Sequence, residues 1–115
     1  MENREQLLLR LVHFERPLSI ILSELGKYEW DSDRELICLS TTEVEKAIRL
    51  FMNGGASSDE IVEWANALEG RDDIGCSEEV KQVIYQLANP ELEGPLTNEK
   101  SLSLIKTLHE TSNAS

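Results

Sequence analysis

The sequence predicts an all-α fold: a single domain of five or six short amphipathic helices in an orthogonal or bundle-like arrangement. A chain of 115 residues is long enough for one small domain and too short for two. The hydrophobic fraction of 40% and the charged fraction of 29% are typical of a folded globular protein. Apolar residues recur at intervals of three and four along most of the chain, and capping signals precede several of these segments. Together these observations favour helices over strands.

The first apolar stripe covers residues 7–25 and contains a proline. Pro17 cannot donate a backbone hydrogen bond, and its ring crowds the preceding turn. The stripe is therefore either one kinked helix or two helices, and we predict two that meet near Arg16, with Gly26 ending the second. The residues of the stripe are Leu7, Leu11, Phe14, Leu18, Ile21 and Leu25.

The helical pattern fails between Tyr28 and Leu39. A polar, turn-like stretch over residues 29–34 is followed by an apolar run at residues 36–39, which is too short to distinguish a strand from a buried loop. Because no second strand candidate is evident, we predict a loop that inserts into the core. A second loop is predicted over residues 70–75.

Capping boxes mark the starts of the next two helices. Ser40 with Glu43, and Ser57 with Glu60, have the spacing at which a hydroxyl and a carboxylate satisfy two backbone N–H groups at a helix start. The stretch 53–55, Asn-Gly-Gly, separates these helices, which we expect to form a hairpin.

Two further helices follow. One begins after Ser77 and ends at Asn89-Pro90, and the last begins at Thr97. We expect a domain over residues 1–110 and a frayed tail over 111–115. The residues of these four helices expected to face the core are Val44, Ala47, Ile48, Phe51, Ile61, Trp64, Ala65, Leu68, Val80, Val83, Ile84, Leu87, Ala88, Leu102, Ile105 and Leu108.

The chain is strongly acidic, with 11 Lys and Arg against 22 Asp and Glu, a net charge of −11. This charge argues against nucleic-acid binding, which depends on basic residues that neutralise phosphates. The longest apolar run, at residues 18–22, is too short to span a bilayer, and the start of the chain lacks the basic and apolar regions of a signal peptide. Cys38 and Cys76 form no metal or redox motif, so we expect two reduced thiols that pack in the core. A cytoplasmic protein without a membrane segment is expected.

Catalytic and metal-binding motifs are not evident in the sequence. His13 and His109 lie near opposite ends of the chain and could bind a metal together with Glu15 or Glu110, but isolated surface histidines are far more common. We therefore predict a protein that is not an enzyme and that has no metal and no cofactor.

Acidic residues are concentrated in one segment. Residues 59–93 contain ten acids and two bases, which gives −8 of the total charge of −11. Such a cluster is either a solvated face or a surface that attracts a basic protein. For the second interpretation, Trp30 is a candidate anchor and Arg71 is expected to pair locally. The candidate charged contacts are Glu63, Glu69, Asp72, Asp73, Glu78 and Glu79.

Residues 62–74, 87–90 and 94–97 resemble a pattern of small bacterial proteins of mostly uncharacterised function. In size, acidity and helical character the chain also resembles immunity proteins that neutralise colicin-type or contact-dependent toxins. It departs from the DNase-colicin immunity proteins, which have a Tyr-Tyr pair, because Tyr28 and Tyr85 are isolated.

The resemblance implies an inhibitor, monomeric or homodimeric, that binds a basic nuclease toxin and occludes its cleft with an acidic surface. The alternative is a bacterial regulatory or adaptor domain that acts through partner binding or through helical self-association, with the apolar stripe of residues 7–25 partly exposed.

Overall fold

The computed structural model describes residues 3–28, 35–69, 71 and 73–113, with the backbone alone for residues 111–113. The described chain is predominantly helical, which confirms the all-α prediction, and it adds one small parallel strand pair. The elements are α1 (Arg4–Val12), α2 (Leu18–Leu25), β1 (Ile37–Cys38), α3 (Thr41–Met52), α4 (Ser58–Leu68), β2 (Ile74–Gly75), α5 (Glu78–Ala88), α6 (Pro90–Glu93) and α7 (Asn98–Asn113).

The predicted break between the first two helices is confirmed. Helix α1 ends at Val12, and Phe14 follows in the left-handed region with φ 56°. Pro17, after a cis peptide bond, is the N-cap of α2, and Gly26 is its C-cap. All six residues of the apolar stripe are buried. The self-association alternative required this stripe to be partly exposed, and its burial removes that basis.

Trp64 of α4 lies at the centre of the core, fully buried as predicted. Its indole N–H donates a hydrogen bond to the carbonyl oxygen of Leu11 at 2.6 Å. Its ring meets Phe14 edge to face, with the centroids 5.4 Å apart. The side chain thus joins α4 to the C-terminal end of α1 by both a polar and an aromatic contact.

The two predicted loops contain strands, so the interpretation of residues 36–39 and 70–75 as loops without strands is wrong. Strand β1 pairs with β2 in parallel, with Ile37 opposite Ile74 and Cys38 opposite Gly75. The pairing satisfies backbone groups that a buried loop would leave without partners. Each strand has two residues, which is too short to produce an alternating pattern in the sequence.

The cysteines differ from the prediction of two core residues. Cys38 is exposed and Cys76 is half-buried, and both are free thiols. Cys38 lies on a strand at the surface. The sequence around it has no helical periodicity from which its exposure could be predicted.

Helix starts follow the capping signals with one difference. The Ser57–Glu60 capping box is formed, and Ser77 accepts the backbone N–H of Val80. At α3 the hydroxyl of Ser40 instead contacts the carboxylate of Glu43, and Ser40 makes no side-chain cap to the backbone. Helix α3 still begins directly after Ser40, so the predicted boundary is correct and the predicted bonding is not.

Helix α1 packs on α2 and α4 on α5, as neighbours in the chain, whereas α3 packs chiefly on the distant α7. Helices α3 and α4 contact each other, but α4 packs more extensively on α5, and α3 on α7. At the turn after α3, Gly54 has φ 81°, a conformation that favours glycine. Helix α5 ends before Asn89, as predicted, and the short α6 follows it.

The last helix differs from the prediction at two points. Leu102 is 57% exposed instead of buried, while Ser101 is buried and donates its hydroxyl to the carbonyl oxygen of Thr97 at 2.7 Å. The buried stripe of α7 therefore consists of Ser101, Leu104, Ile105 and Leu108. The helix continues to Asn113, inside the segment 111–115 that we expected to be a tail. None of the described helices combines the length and apolar character needed to cross a membrane.

Candidate protein-binding surface

The acidic segment presents most of its carboxylates to solvent. Among its described residues, six carboxylates and one base, Lys81, are exposed. Glu60 and Glu69 are half-buried. We call the six exposed acids of α4, α5 and α6 the acidic surface; they are Asp59, Glu63, Glu78, Glu79, Glu91 and Glu93. Helix α5 packs against both α4 and α6, so one group of helices carries this charge.

Asp73 does not belong to this surface, which corrects the prediction that it is a docking contact. Its side chain is 0% exposed and bonds two arginines. Arg71 donates to both carboxylate oxygens, from Nε at 2.9 Å and from Nη2 at 3.1 Å, and Nε of Arg4 donates at 2.9 Å. The predicted local pairing of Arg71 is confirmed, and the acid it pairs with is unavailable to a partner.

The carboxylate of Asp73 stays charged despite its burial. Burial raises the pKa of this group, but the hydrogen bonds and charges of Arg71 and Arg4 together outweigh it and hold the pKa below its usual value. The backbone carbonyl of Asp73 also accepts the N–H of Leu36 at 2.8 Å. Asp73 therefore ties α1 and the segment before β1 to the segment before β2, and its role is structural.

A groove of about 490 Å³ opens between the C-terminal end of α4, the two strands and α5. We call it the α4–α5 groove. Its apolar part consists of Leu39, Leu68, Ile74 and Ile84, and its polar part of Glu69, Arg71, Cys76, Lys81, Gln82 and Tyr85. A concave lining of mixed apolar and polar side chains can serve as a binding site.

Several polar side chains of the α4–α5 groove contact residues that lie next to the groove. Asn89 donates from Nδ2 to the carboxylate of Glu69 at 3.4 Å and to the carbonyl oxygen of Tyr85 at 2.8 Å. Lys81 lies 3.7 Å from the carboxylate of Glu78. Burial raises the pKa of the Cys76 thiol, so it remains protonated at neutral pH.

A second groove, of about 450 Å³, is lined by both α2 and α4. Arg71 lines both grooves, so they lie close together near the C-terminal end of α4. The remaining residues of the second groove are Leu22, Leu25, Gly26, Glu63, Asn66 and Ala67. The structure thus places two of the predicted contacts, Glu63 and Glu69, in adjacent grooves.

The other predicted contacts are placed as follows. Glu78 and Glu79 are exposed in the first turn of α5, where the helix dipole favours acids. Trp30 and Asp72 lie outside the described residues. Sequence reasoning missed Tyr85, which is 37% exposed beside the α4–α5 groove. The sequence signal for Tyr85 was an aromatic residue of α5 at a position between those that face the core.

The two histidines lie against different parts of α3. His109 places Nε2 2.5 Å from the carboxylate of Glu45, and His13 lines a small cleft with Glu43 and Lys46. The pKa of Glu45 is lowered, chiefly by its hydrogen bond from Arg49. Within the described part of the chain, no three His, Cys, Asp or Glu side chains are grouped in a way that could hold a metal ion.

Comparisons of the chain with protein-family models, with curated proteins and with solved structures find no match.

Proposed function

We propose that this protein is a non-enzymatic bacterial inhibitor that binds a basic protein through its acidic surface, as an immunity protein binds a nuclease toxin. The observation that supports the proposal is the ratio of six exposed carboxylates to one exposed base among the described residues of the acidic segment. Concentrated like charge destabilises a compact protein by self-repulsion, and an oppositely charged partner relieves it.

The proposed mechanism is occlusion. A nuclease needs a basic cleft for the phosphates of its substrate. Helices α4, α5 and α6 would bring carboxylates to that cleft in place of phosphates. Long-range attraction would speed the encounter, while contacts buried in the complex would determine how slowly it dissociates. The proposal places the protein in the cytoplasm, where such a toxin would meet nucleic acid.

The first experiment identifies the partner. The tagged full chain is used for affinity capture at low salt from lysate of the source cells, with a high-salt wash as control and mass spectrometry of the eluate. Recovery of a basic nuclease that loses its activity when mixed with the purified protein supports the proposal. A purified partner whose activity is unchanged contradicts inhibition.

The second experiment tests the acidic surface with that partner. The variant E78Q/E79Q removes two exposed charges from the first turn of α5, and the control E5Q/E99Q removes two from the first turns of α1 and α7. The variants have equal net charge and equivalent helix positions. We expect E78Q/E79Q alone to slow association several-fold and to weaken its salt dependence. Equal effects of the two variants, or association that is insensitive to salt, would contradict the acidic-surface mechanism.

A further inference from the structure

The α4–α5 groove is lined by four apolar side chains, each at most 7% exposed, and by one carboxylate, that of Glu69. The apolar side chains come from four different segments of the fold, so the groove is formed by the packing of α4, α5 and the strands. Its volume of about 490 Å³ lies within the range of sites that hold small ligands or single large side chains. The groove can therefore hold an aromatic or a long aliphatic side chain.

The groove lining carries one acid, Glu69, and two bases, Arg71 and Lys81, and each of these bases has an acidic partner. Arg71 lines the groove, but its Nε and Nη2 donate to Asp73 and its side chain is 3% exposed. Lys81 is 58% exposed and lies beside Glu78. Glu69 is half-buried, lines the groove and accepts a long hydrogen bond of 3.4 Å from Nδ2 of Asn89.

Tyr85 adds a second feature that fits a cation. Its partly exposed ring lines the groove, and the face of an aromatic ring attracts Lys and Arg. The acidic surface also includes Glu78 and Glu79 at the start of the same helix, α5. Charge complementarity therefore indicates a basic occupant with an apolar part.

We infer that the α4–α5 groove binds an aromatic or long aliphatic side chain of the basic partner, and that Glu69 pairs with a lysine or arginine next to it in the partner's sequence. The inference rests on the proposed function and deepens it. The acidic surface would govern the rate of encounter, and the groove would hold the buried contact that slows dissociation.

Three blocked peptides test the inference directly against the full, 15N-labelled chain by NMR titration. Lys-Gly-Phe-Gly-Lys has the charge and the anchor, Lys-Gly-Ser-Gly-Lys has the charge alone, and Glu-Gly-Phe-Gly-Glu has the anchor with the opposite charge. We expect only the first to shift the amide signals of Cys76, Gln82 and Tyr85 together. We expect the two others to bind at least several-fold more weakly.

Matched variants assign the contacts. E69Q should weaken binding of Lys-Gly-Phe-Gly-Lys several-fold, while E99Q, which removes an equal charge from the first turn of α7, outside the acidic surface, should not. Y85A should weaken it as well, and a dispersed amide spectrum shows that each variant is folded. Preferential binding of Glu-Gly-Phe-Gly-Glu would overturn the inference, as would equal binding of the two lysine peptides or an E69Q effect no larger than that of E99Q. Those outcomes would not contradict binding through the acidic surface. Equal effects of E78Q/E79Q and E5Q/E99Q on the rate of association with the partner would instead contradict the proposed function itself.

Discussion

Asp73 accepts two hydrogen bonds from Arg71, which lies two residues earlier in the sequence, and both side chains are almost completely removed from solvent. Arg4 completes the arrangement from α1, 69 positions away in the sequence. A buried carboxylate with two guanidinium partners resists removal of any one member, because the remaining charges cannot be hydrated. The cluster therefore fixes how α1 meets the strand pair.

Replacing Asp73 should destabilise the fold strongly. D73N keeps the size of the side chain but removes the negative charge that Arg71 and Arg4 both contact. We expect the free energy of unfolding to fall by about 3 kcal/mol, as for other broken buried ion pairs. Urea unfolding followed by circular dichroism measures this change. E91Q, which changes an exposed acid, is the control, and a D73N effect as small as that of E91Q would show that the cluster contributes little.

The same carboxylate should make stability dependent on pH in the acid range. Because the folded pKa of Asp73 is lowered, the ionised group stabilises the fold above its unfolded pKa of about 3.9. That stabilisation is lost as the pH falls towards and through the folded value. We expect urea midpoints between neutral pH and strong acid to decline less steeply in D73N than in the wild type. Parallel curves for the two proteins would contradict this prediction.

The indole hydrogen bond of Trp64 provides a test of the core. W64F removes the N–H donor, while the buried carbonyl oxygen of Leu11 keeps its hydrogen bond from the backbone N–H of Phe14 at 3.0 Å. The loss should lower the free energy of unfolding by about 1 kcal/mol for the hydrogen bond, with a further contribution from the smaller ring. Urea unfolding of W64F and of Y85F, an exposed aromatic control, separates this effect from a general loss of aromatic groups. A W64F midpoint equal to that of Y85F would show that the contact is not stabilising.

Helical periodicity and capping signals predicted the starts of α3, α4 and α5 and nearly all of the core, because those features depend on residues close together in the chain. The strand pair and the Arg4–Asp73 contact depend on segments far apart, and a two-residue strand leaves no periodic trace. Asp73 resembled its acidic neighbours in sequence, and its contact with Arg4, 69 positions away, leaves no local signal of burial. Ser101 is buried where Leu102 was expected to be. Its hydroxyl is compatible with the core because it donates to the carbonyl oxygen of Thr97 one turn earlier. The α4–α5 groove could not be foreseen, since its lining joins α4 and α5 to the strand pair.

Two serines with the same sequence signal should differ in their contribution to stability. Ser57 accepts the backbone N–H of Glu60 at 3.1 Å, whereas the hydroxyl of Ser40 contacts the side chain of Glu43 and caps no backbone group. S57A should therefore lower the free energy of unfolding by about 1 kcal/mol, the usual value of an N-cap. S40A should lower it by clearly less, because the helix loses no backbone hydrogen bond with that hydroxyl. Urea unfolding of both variants under one set of conditions measures the difference, and equal losses would mean that Ser40 caps α3 in solution as its sequence signal indicates.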